Sequence, residues 1–536
     1  MIYPETTSLF SGLVVPDAAY NSHTSRTSCL NGTRELVIST ISEWKDDVDA
    51  RPICWLSGSA GLGKSAVLQS IAESCAKDKT LAASFFFLRS AGGRSEFRRF
   101  ITTLAFQLTL SVPEVKPFVV KALQDDHTIP HQSIADQLHK LILDPLTAVP
   151  AAKMSRRILL VVVDALDECN DREAVQEFIG ILASACSSRQ LPLRWLVTSR
   201  SEEHIRQSFS NAVPAAATRV LQLETFNAET DIKSFLEARF SDIIHHNPLL
   251  FRDVHQPWPS LEDLMALVEK SNGLFIFAST LVKFLTDGKA PPERKLKSVL
   301  KMHAGLDPLY EQVLRDVPEI ACFPKVLAAL MLLNKQPSVE LLAGVLQLDI
   351  PDVLLALMAI QSIIHIPSDD SNPIQLNHTS LRDFLVDKGR SGDLFVDPPF
   401  AHASLATGCA RLLHRNLRKD MFRTDAVTLY AVQYLPHHLE NSNMATRAFS
   451  ELRGALQDLS ESSLRAVELW INILIASRTT NPIDTKDRLV NLCIKYKRSN
   501  RDLVRILATI ARKFEVCSFT SPSRALVTFD LLRWYV

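Results

Sequence analysis

Directly after Ile53-Cys54-Trp55-Leu56-Ser57 the chain reads Gly58-Ser59-Ala60-Gly61-Leu62-Gly63-Lys64-Ser65. Only 16 of the 536 residues are glycine, and three of them fall within these eight positions. Such a run cannot continue a strand or begin a helix; it folds the backbone back on itself without side chains in the way. Ile53 to Leu56 is an apolar run suited to a buried strand, and Val67, Leu68, Ile71, Ala72 and Cys75 recur at helical spacing. The octet fits G-x-x-x-x-G-K-[ST] in its strand–loop–helix setting, the pattern of a phosphate-binding loop. Successive N–H groups then converge on an anion, and the helix N-terminus adds positive potential at the same point. Lys64 supplies a point charge for β- and γ-phosphates, and the Ser65 hydroxyl a ligand for Mg²⁺. Gly58, Ser59, Ala60, Gly61, Leu62, Gly63, Lys64 and Ser65 are therefore all candidate nucleotide-binding residues.

A second half of the same site stands about 100 residues on. Ile158 to Val163 is an unbroken β-branched and leucine run that ends in Asp164-Ala165-Leu166-Asp167-Glu168. A strand buried between two layers of helices is apolar throughout, and ligands collect at the carboxyl ends of such strands. Asp164 is the candidate Mg²⁺ holder, acting through water, and Asp167 or Glu168 the group that orients or deprotonates an attacking water. Ala82 to Leu88 and Leu193 to Ser199 read as further strands, the latter closing on Thr198-Ser199-Arg200, and Phe97 to Leu110 as a core helix.

The length calls for three or four domains. Lys+Arg and Asp+Glu balance at 59 each, so the composition carries no broad basic footprint for nucleic acid. The longest apolar runs, such as Val326 to Leu333, fall far short of a membrane span, and no secretory signal opens the chain. Nine scattered cysteines without a C-x-x-C pair suit reduced thiols and a cytoplasmic protein. His437-His438 has no further ligands in view, which speaks against a metal site.

Several stretches together resemble the NACHT nucleoside triphosphatases, a group of STAND-class signalling ATPases, and the large fungal branch in particular. Cys29-Leu30-Asn31-Gly32-Thr33-Arg34, followed by a helix with Leu36, Val37, Ile41 and Trp44 on one face, resembles the family's entry segment. That resemblance puts Thr33 and Arg34 near the adenine. Ala165 between the acids matches the family's form of the acidic motif, and Arg200 its sensor of the γ-phosphate. Gly273-Leu274-Phe275-Ile276-Phe277-Ala278 resembles the segment of its helical lid, and Leu306 to Tyr310 the entry to its winged helix. Helices near 324–334, 338–346 and 351–362, then short strands at Ile363 to Ile366 and Ile374 to Leu376 around a turn-rich segment, fit that winged helix. His378-Thr379-Ser380-Leu381-Arg382-Asp383-Phe384-Leu385 follows, with Leu381 where the family has Phe. In related ATPases a His at the place of His378 contacts the β-phosphate of ADP. Tyr430 to Leu439 resembles the helical segment beyond.

The expected architecture is an α/β P-loop NTPase core, its parallel sheet flanked by helices, followed by helical lid, winged helix and all-α extension. The expected boundaries are 1–28 leader or linker, 29–225 core, 226–305 lid, 306–400 winged helix and 401–536 extension. No repeat of 20–50 residues is visible, and the apolar end Leu531 to Val536 suits a packed terminal helix or a truncated chain. The resemblance implies an ATP/ADP switch with Mg²⁺ and slow hydrolysis that forms a homo-oligomer on activation, with unknown effector and sensor partners; the lack of a local Lys and Arg excess speaks against nucleic acid. The alternatives are a nucleotide-binding scaffold without turnover, and a phosphotransferase or GTPase. A GTPase calls for Gly at the place of Asp167 and for an N-K-x-D reader, which Asn334-Lys335-Gln336-Pro337 does not supply.

Overall fold

The computed structural model describes residues 9–22, 27–89, 92–150, 158–188, 193–252, 254, 256–417, 425–442, 448–477, 482–497 and 500–519. The apolar end 531–536 and parts of the 1–28 segment lie outside the described residues. The chain divides into two compact units. One comprises residues 1–310 with His378–Ser380, the other residues 311–377 and 381–536.

The first unit is built on five parallel strands: β1 (Ile53–Ser57), β2 (Leu81–Phe86), β3 (Leu159–Asp164), β4 (Leu193–Ser199) and β5 (Thr218–Gln222), in the order β2-β3-β4-β1-β5. Every residue of β1, β3 and β4 is buried, as strands covered on both faces require. Alternate side chains of each strand feed two separate cores. Trp55, Phe85, Val161, Val163, Trp195 and Val197 join Phe97, Phe100, Ile101 and Phe178 on one face. Cys54, Leu56, Phe86, Leu160, Val162 and Leu196 meet Val37, Ile41, Trp44, Val67, Leu68 and Ile71 on the other. β5 is half exposed, with a pattern too polar to announce a strand in the sequence.

The helix expected after the entry segment runs Glu35–Asp46 and buries Val37, Ile41 and Trp44. Leu36, expected on the same face, is instead 69% exposed, because it falls one residue off the stripe that meets the sheet. Within the segment read as a leader, Phe10, Val15 and Ala18 are buried in the first core. There the Val15 N–H donates to Thr103 Oγ1 at 3.0 Å and the Tyr20 N–H to Ser84 Oγ at 3.0 Å. Residues 9–22 thus pack against β2 and the helix Phe100–Ser111, while the outer edge of β2 is met by Gln107, whose amide pairs with the Ser84 N–H and carbonyl.

After β5 come helices Glu229–His246, Leu261–Ser271, Phe275–Leu285 and Pro292–Leu300, the second ending at Asn272 in the left-handed region.

The second unit carries helices Phe323–Leu332, Val339–Leu346 and Ile350–Met358, then an antiparallel hairpin of β6 (Ile364–His365) and β7 (Gln375–Leu376). Six longer helices follow, from Pro398–Leu417 to Arg501–Phe519. Among the described residues no single helix is long and apolar enough to cross a membrane.

Candidate functional site

β1 ends at Ser57 and the next helix begins at Lys64, so residues 58–63 form the connecting loop at the carboxyl end of the sheet. Gly61 and Gly63 have φ of +86° and +95°, where side chains are strained. At Gly61 a Cβ would also stand 2.2 Å from Ile276 Cγ2, so this position admits glycine alone.

The carbonyls of this loop are held from outside. Gly61 O accepts the Ile276 N–H at 3.1 Å and Gly63 O that of Val67 at 3.1 Å. Leu62 O accepts Arg34 Nη2 at 2.8 Å. Gly58 O and Ser59 O accept Lys64 Nζ at 2.5 and 2.8 Å. With the carbonyls of Gly58, Ser59, Gly61, Leu62 and Gly63 engaged, the polarity the loop offers a ligand is chiefly that of its N–H groups. Leu62 is buried in the second core and Ala60 half-buried, while Ser65 is exposed in the first turn of the helix.

Lys64 is the point where the charges of the site meet. Burial holds its ammonium below the ordinary lysine range, against the pull of Asp167 and Asp164; Arg200 adds to the depression and Glu224 opposes it. The loop, the acids after β3 and the arginine after β4 therefore share one electrostatic neighbourhood.

Each acid is fixed by its own partner. Asp164 accepts Thr198 Oγ1 at 2.6 Å, and that hydroxyl accepts the Ala165 N–H at 2.9 Å. Ala165 is left-handed, φ +56°, which turns the chain sharply and brings Asp167 and Glu168 back to the strand ends. Asp167 accepts the Arg200 N–H at 2.9 Å and pairs with Arg200 Nε at 3.3 Å. Glu168 accepts the Arg89 N–H at 3.0 Å. Burial first, then the neighbouring Asp167, pushes the Glu168 carboxyl up to about 7. A carboxyl poised near neutrality can take a proton from water and return it.

Thr33 and Arg34, assigned to the adenine side, are both buried. The Thr33 hydroxyl donates to Leu30 O at 2.7 Å, closing a local turn. Arg34 reaches the loop, and its guanidinium lies 4.8 Å from the centre of the Phe275 ring. Its Nε and Nη1 are buried without a hydrogen-bond partner. Two orphaned donors beside this loop suit an acceptor-rich ligand such as a nucleotide, and Ser65 with Asp164 is a hard oxygen set of the kind Mg²⁺ takes.

His378 is half-buried, and its Nδ1 is engaged with Ser380, whose Oγ lies at 2.7 Å and whose N–H donates at 3.1 Å. The neighbouring Thr379 reaches the acids. Its Oγ1 accepts Arg200 Nη2 at 2.9 Å and donates to Glu168 Oε1 at 3.2 Å. Thr379, Arg89, Thr198, Ile276 and Glu224 were not singled out for the site from the sequence; only the last residues of β4 and the segment beside His378 offered a hint of two of them.

Residues 32–200 match the family model described as Nephrocystin 3, N-terminal. That interval opens at the segment holding Thr33 and Arg34 and closes on Arg200. The chain is also similar to the vegetative incompatibility protein HET-E-1 of Podospora anserina, 22% identical over 355 residues that make up 64% of this chain. It spans about a quarter (25%) of that protein's length. Among solved structures, a STAND protein with a tetratricopeptide repeat sensor from Pyrococcus horikoshii aligns at a TM-score of 0.42 and 11% identity, over 95% of this chain and 70% of that one. Cdc6p of Pyrobaculum aerophilum aligns at 0.31 and 12%, over 70% and 99%. Both superpositions are loose, and the strand order, the loop with its acids and the match across residues 32–200 are what define the chain. Over residues 32–200 and the stretch shared with HET-E-1, the chain is similar to the NACHT-type P-loop nucleoside triphosphatases of the STAND class.

Proposed function

We propose that this protein is an ATP/ADP switch with slow, Mg²⁺-dependent hydrolysis. The observation that carries this reading is the state of Arg200: it is paired with Asp167 and hydrogen-bonded to Thr379, which also binds Glu168. An arginine free to stabilise a terminal phosphate, and an acid free to activate water, would favour turnover. Here both are tied to each other and to one threonine, which favours holding a state.

In this reading the loop amides and Lys64 bind the phosphates, and the orphaned Arg34 donors meet acceptors on the ligand. Ser65 and Asp164 hold Mg²⁺, which supplies charge neutralisation on the phosphates when bound. Glu168, with its raised pKa, is the proton acceptor for water, and Asp167 keeps Arg200 in register. Residues 29–225 form the nucleotide core, 226–305 a lid, 306–400 a winged helix and 401–536 a helical extension. His378 belongs to the unit that carries the loop, which fits a contact with the β-phosphate of ADP after its ring leaves Ser380.

ATP in place of ADP would release the Thr379 contacts and drive homo-oligomerisation in a cytoplasmic signalling or defence role. Nucleotide shifts such an equilibrium only through unequal affinity for its two states. The balanced charge favours protein partners over nucleic acid.

Single-turnover hydrolysis with Mg²⁺, run beside light scattering, tests the reading. The expected result is slow turnover, an increase in mass with a non-hydrolysable ATP analogue, and turnover lowered about 100-fold in Arg200→Ala with ADP retained. Fast multiple turnover with no change of mass would overturn it.

A further inference from the structure

One charged side chain at the loop is needed neither by the fold nor by phosphate binding. Glu224 lies in the 3-10 turn Leu223–Thr225, which leaves β5 and leads to the helix opening at Glu229. Its Oε1 accepts the Ser59 N–H at 2.7 Å and the Ser59 hydroxyl at 2.9 Å. Its Oε2 lies 3.4 Å from where a Cβ on Gly58 would stand. A carboxylate of the protein is thus seated on the first turn of a loop whose geometry collects anions.

The charge is what makes the contact unusual. Glu224 and Ser59 are both exposed, so water could serve the two Ser59 donors, and a neutral amide oxygen would satisfy them equally well. The carboxylate also contributes to the field at Lys64, the same ammonium that caps the Gly58 and Ser59 carbonyls. Burial opposes ionisation of Glu224, but the Ser59 donors and Lys64 outweigh it and hold its carboxyl below the usual range. A fixed negative charge beside a phosphate site repels each phosphate group that enters, and repels a triphosphate more than a diphosphate.

We propose that Glu224 is an intrinsic competitor of the phosphate loop, setting nucleotide affinity by occupying Ser59 and part of the field of Lys64. The proposal rests on the reading of residues 58–65 as the phosphate site. Because Glu224 stands in the turn joining β5 to the next helical region, its departure from Ser59 also frees the start of that connection.

Calorimetric titration of ADP and ATP into the full chain tests this, with Glu224→Gln and Glu224→Ala beside the wild type. Glu224→Gln keeps an acceptor for Ser59 and removes the charge alone. Both variants are expected to bind about 5- to 10-fold tighter than wild type, with the larger gain for ATP, and the gain should shrink towards ~0.5 M salt. Thermal melting without nucleotide should leave Glu224→Gln within about 2 °C of wild type. Unchanged or weaker binding by Glu224→Gln overturns the proposal. Should the wild type bind and Lys64→Ala not bind, while Glu224→Gln gains nothing, the Glu224 proposal falls and the phosphate site stands. A wild type that binds neither nucleotide removes both.

Discussion

At the carboxyl end of the sheet the protein buries charge: Arg34, Arg94, Asp164, Asp167 and Glu168 are each less than 9% exposed. In the helical extension it buries polarity without charge. There the Tyr430 hydroxyl, which accepts the Asn334 N–H from outside the extension at 3.1 Å, meets His438 Nε2 at 2.7 Å, and His438 Nδ1 meets His402 Nδ1 at 2.8 Å. With Tyr430 donating to Nε2, His438 carries its proton on Nδ1 and donates to His402 Nδ1, so both rings are neutral and both nitrogens of His438 are engaged. Burial depresses His402 to about 4 and His438 well below its ordinary value. Buried charges that are only partly paired are costly and suit a place where a ligand acts. A closed neutral network suits packing. Buried charge is concentrated in the first region, and His438 of the second belongs to a packing network.

The largest test of this contrast is His438→Ala. It removes the acceptor of the Tyr430 hydroxyl and the partner of His402 Nδ1 in a buried site, which should destabilise the extension by about 3 kcal/mol, readable by urea unfolding through the buried Trp470. Nucleotide content should not change; its loss would mean the two regions are not separable in this way.

Acidification should push the regions in opposite directions. His402 is depressed in the folded state, so between pH 6.5 and about 4 the unfolded chain binds a proton that the folded chain refuses. Stability of the extension therefore falls as pH drops through that window, by about 1.4 kcal/mol per histidine at pH 5.5. Glu168 is raised, so its contribution is complete below about 4.5 and lost as pH rises through 7. Lowering pH from 7.5 to 5.5 should firm its surroundings by about 2 kcal/mol. Hydrogen exchange resolved by peptide should report faster exchange around residues 426–441 and slower exchange around 164–169. Shifts of the same sign in both would contradict the assignment.

The smallest effect belongs to Thr379→Val, which removes the hydroxyl shared by Arg200 and Glu168. The expected loss is about 1 kcal/mol, seen as faster exchange confined to the segment around residue 379. Exchange unchanged there would show that the hydroxyl holds nothing in place.

What could be read in advance followed from how local each signal is. The phosphate loop, the acidic end of β3 and the arginine after β4 are continuous stretches whose chemistry and backbone demands coincide, and all fall within one charge neighbourhood. Helices and strands with full apolar patterns, such as β3 or the helix at 64–77, were equally legible. β5 was not, since an edge strand with two apolar residues among five leaves no periodicity to detect. Glu224 and Thr379 meet partners 165 and 211 residues away; the segment beside His378 hints at the second, and nothing beside Glu224 marks the first. The Gly273 to Ala278 segment reads as part of a helical lid without chemistry of its own, and nothing in it announces that the Ile276 N–H grips the Gly61 carbonyl or that its side chain excludes any Cβ there. The approach of two elements 215 residues apart lies beyond any local pattern.

Mass spectrometry of the intact, natively purified protein tests the central claim most directly, because it weighs the chain together with what the loop holds. The account predicts one ADP or ATP per chain in the wild type and none in Lys64→Ala, whose folded charge-state distribution should otherwise match. A wild type free of nucleotide, or equal nucleotide in Lys64→Ala, would contradict it.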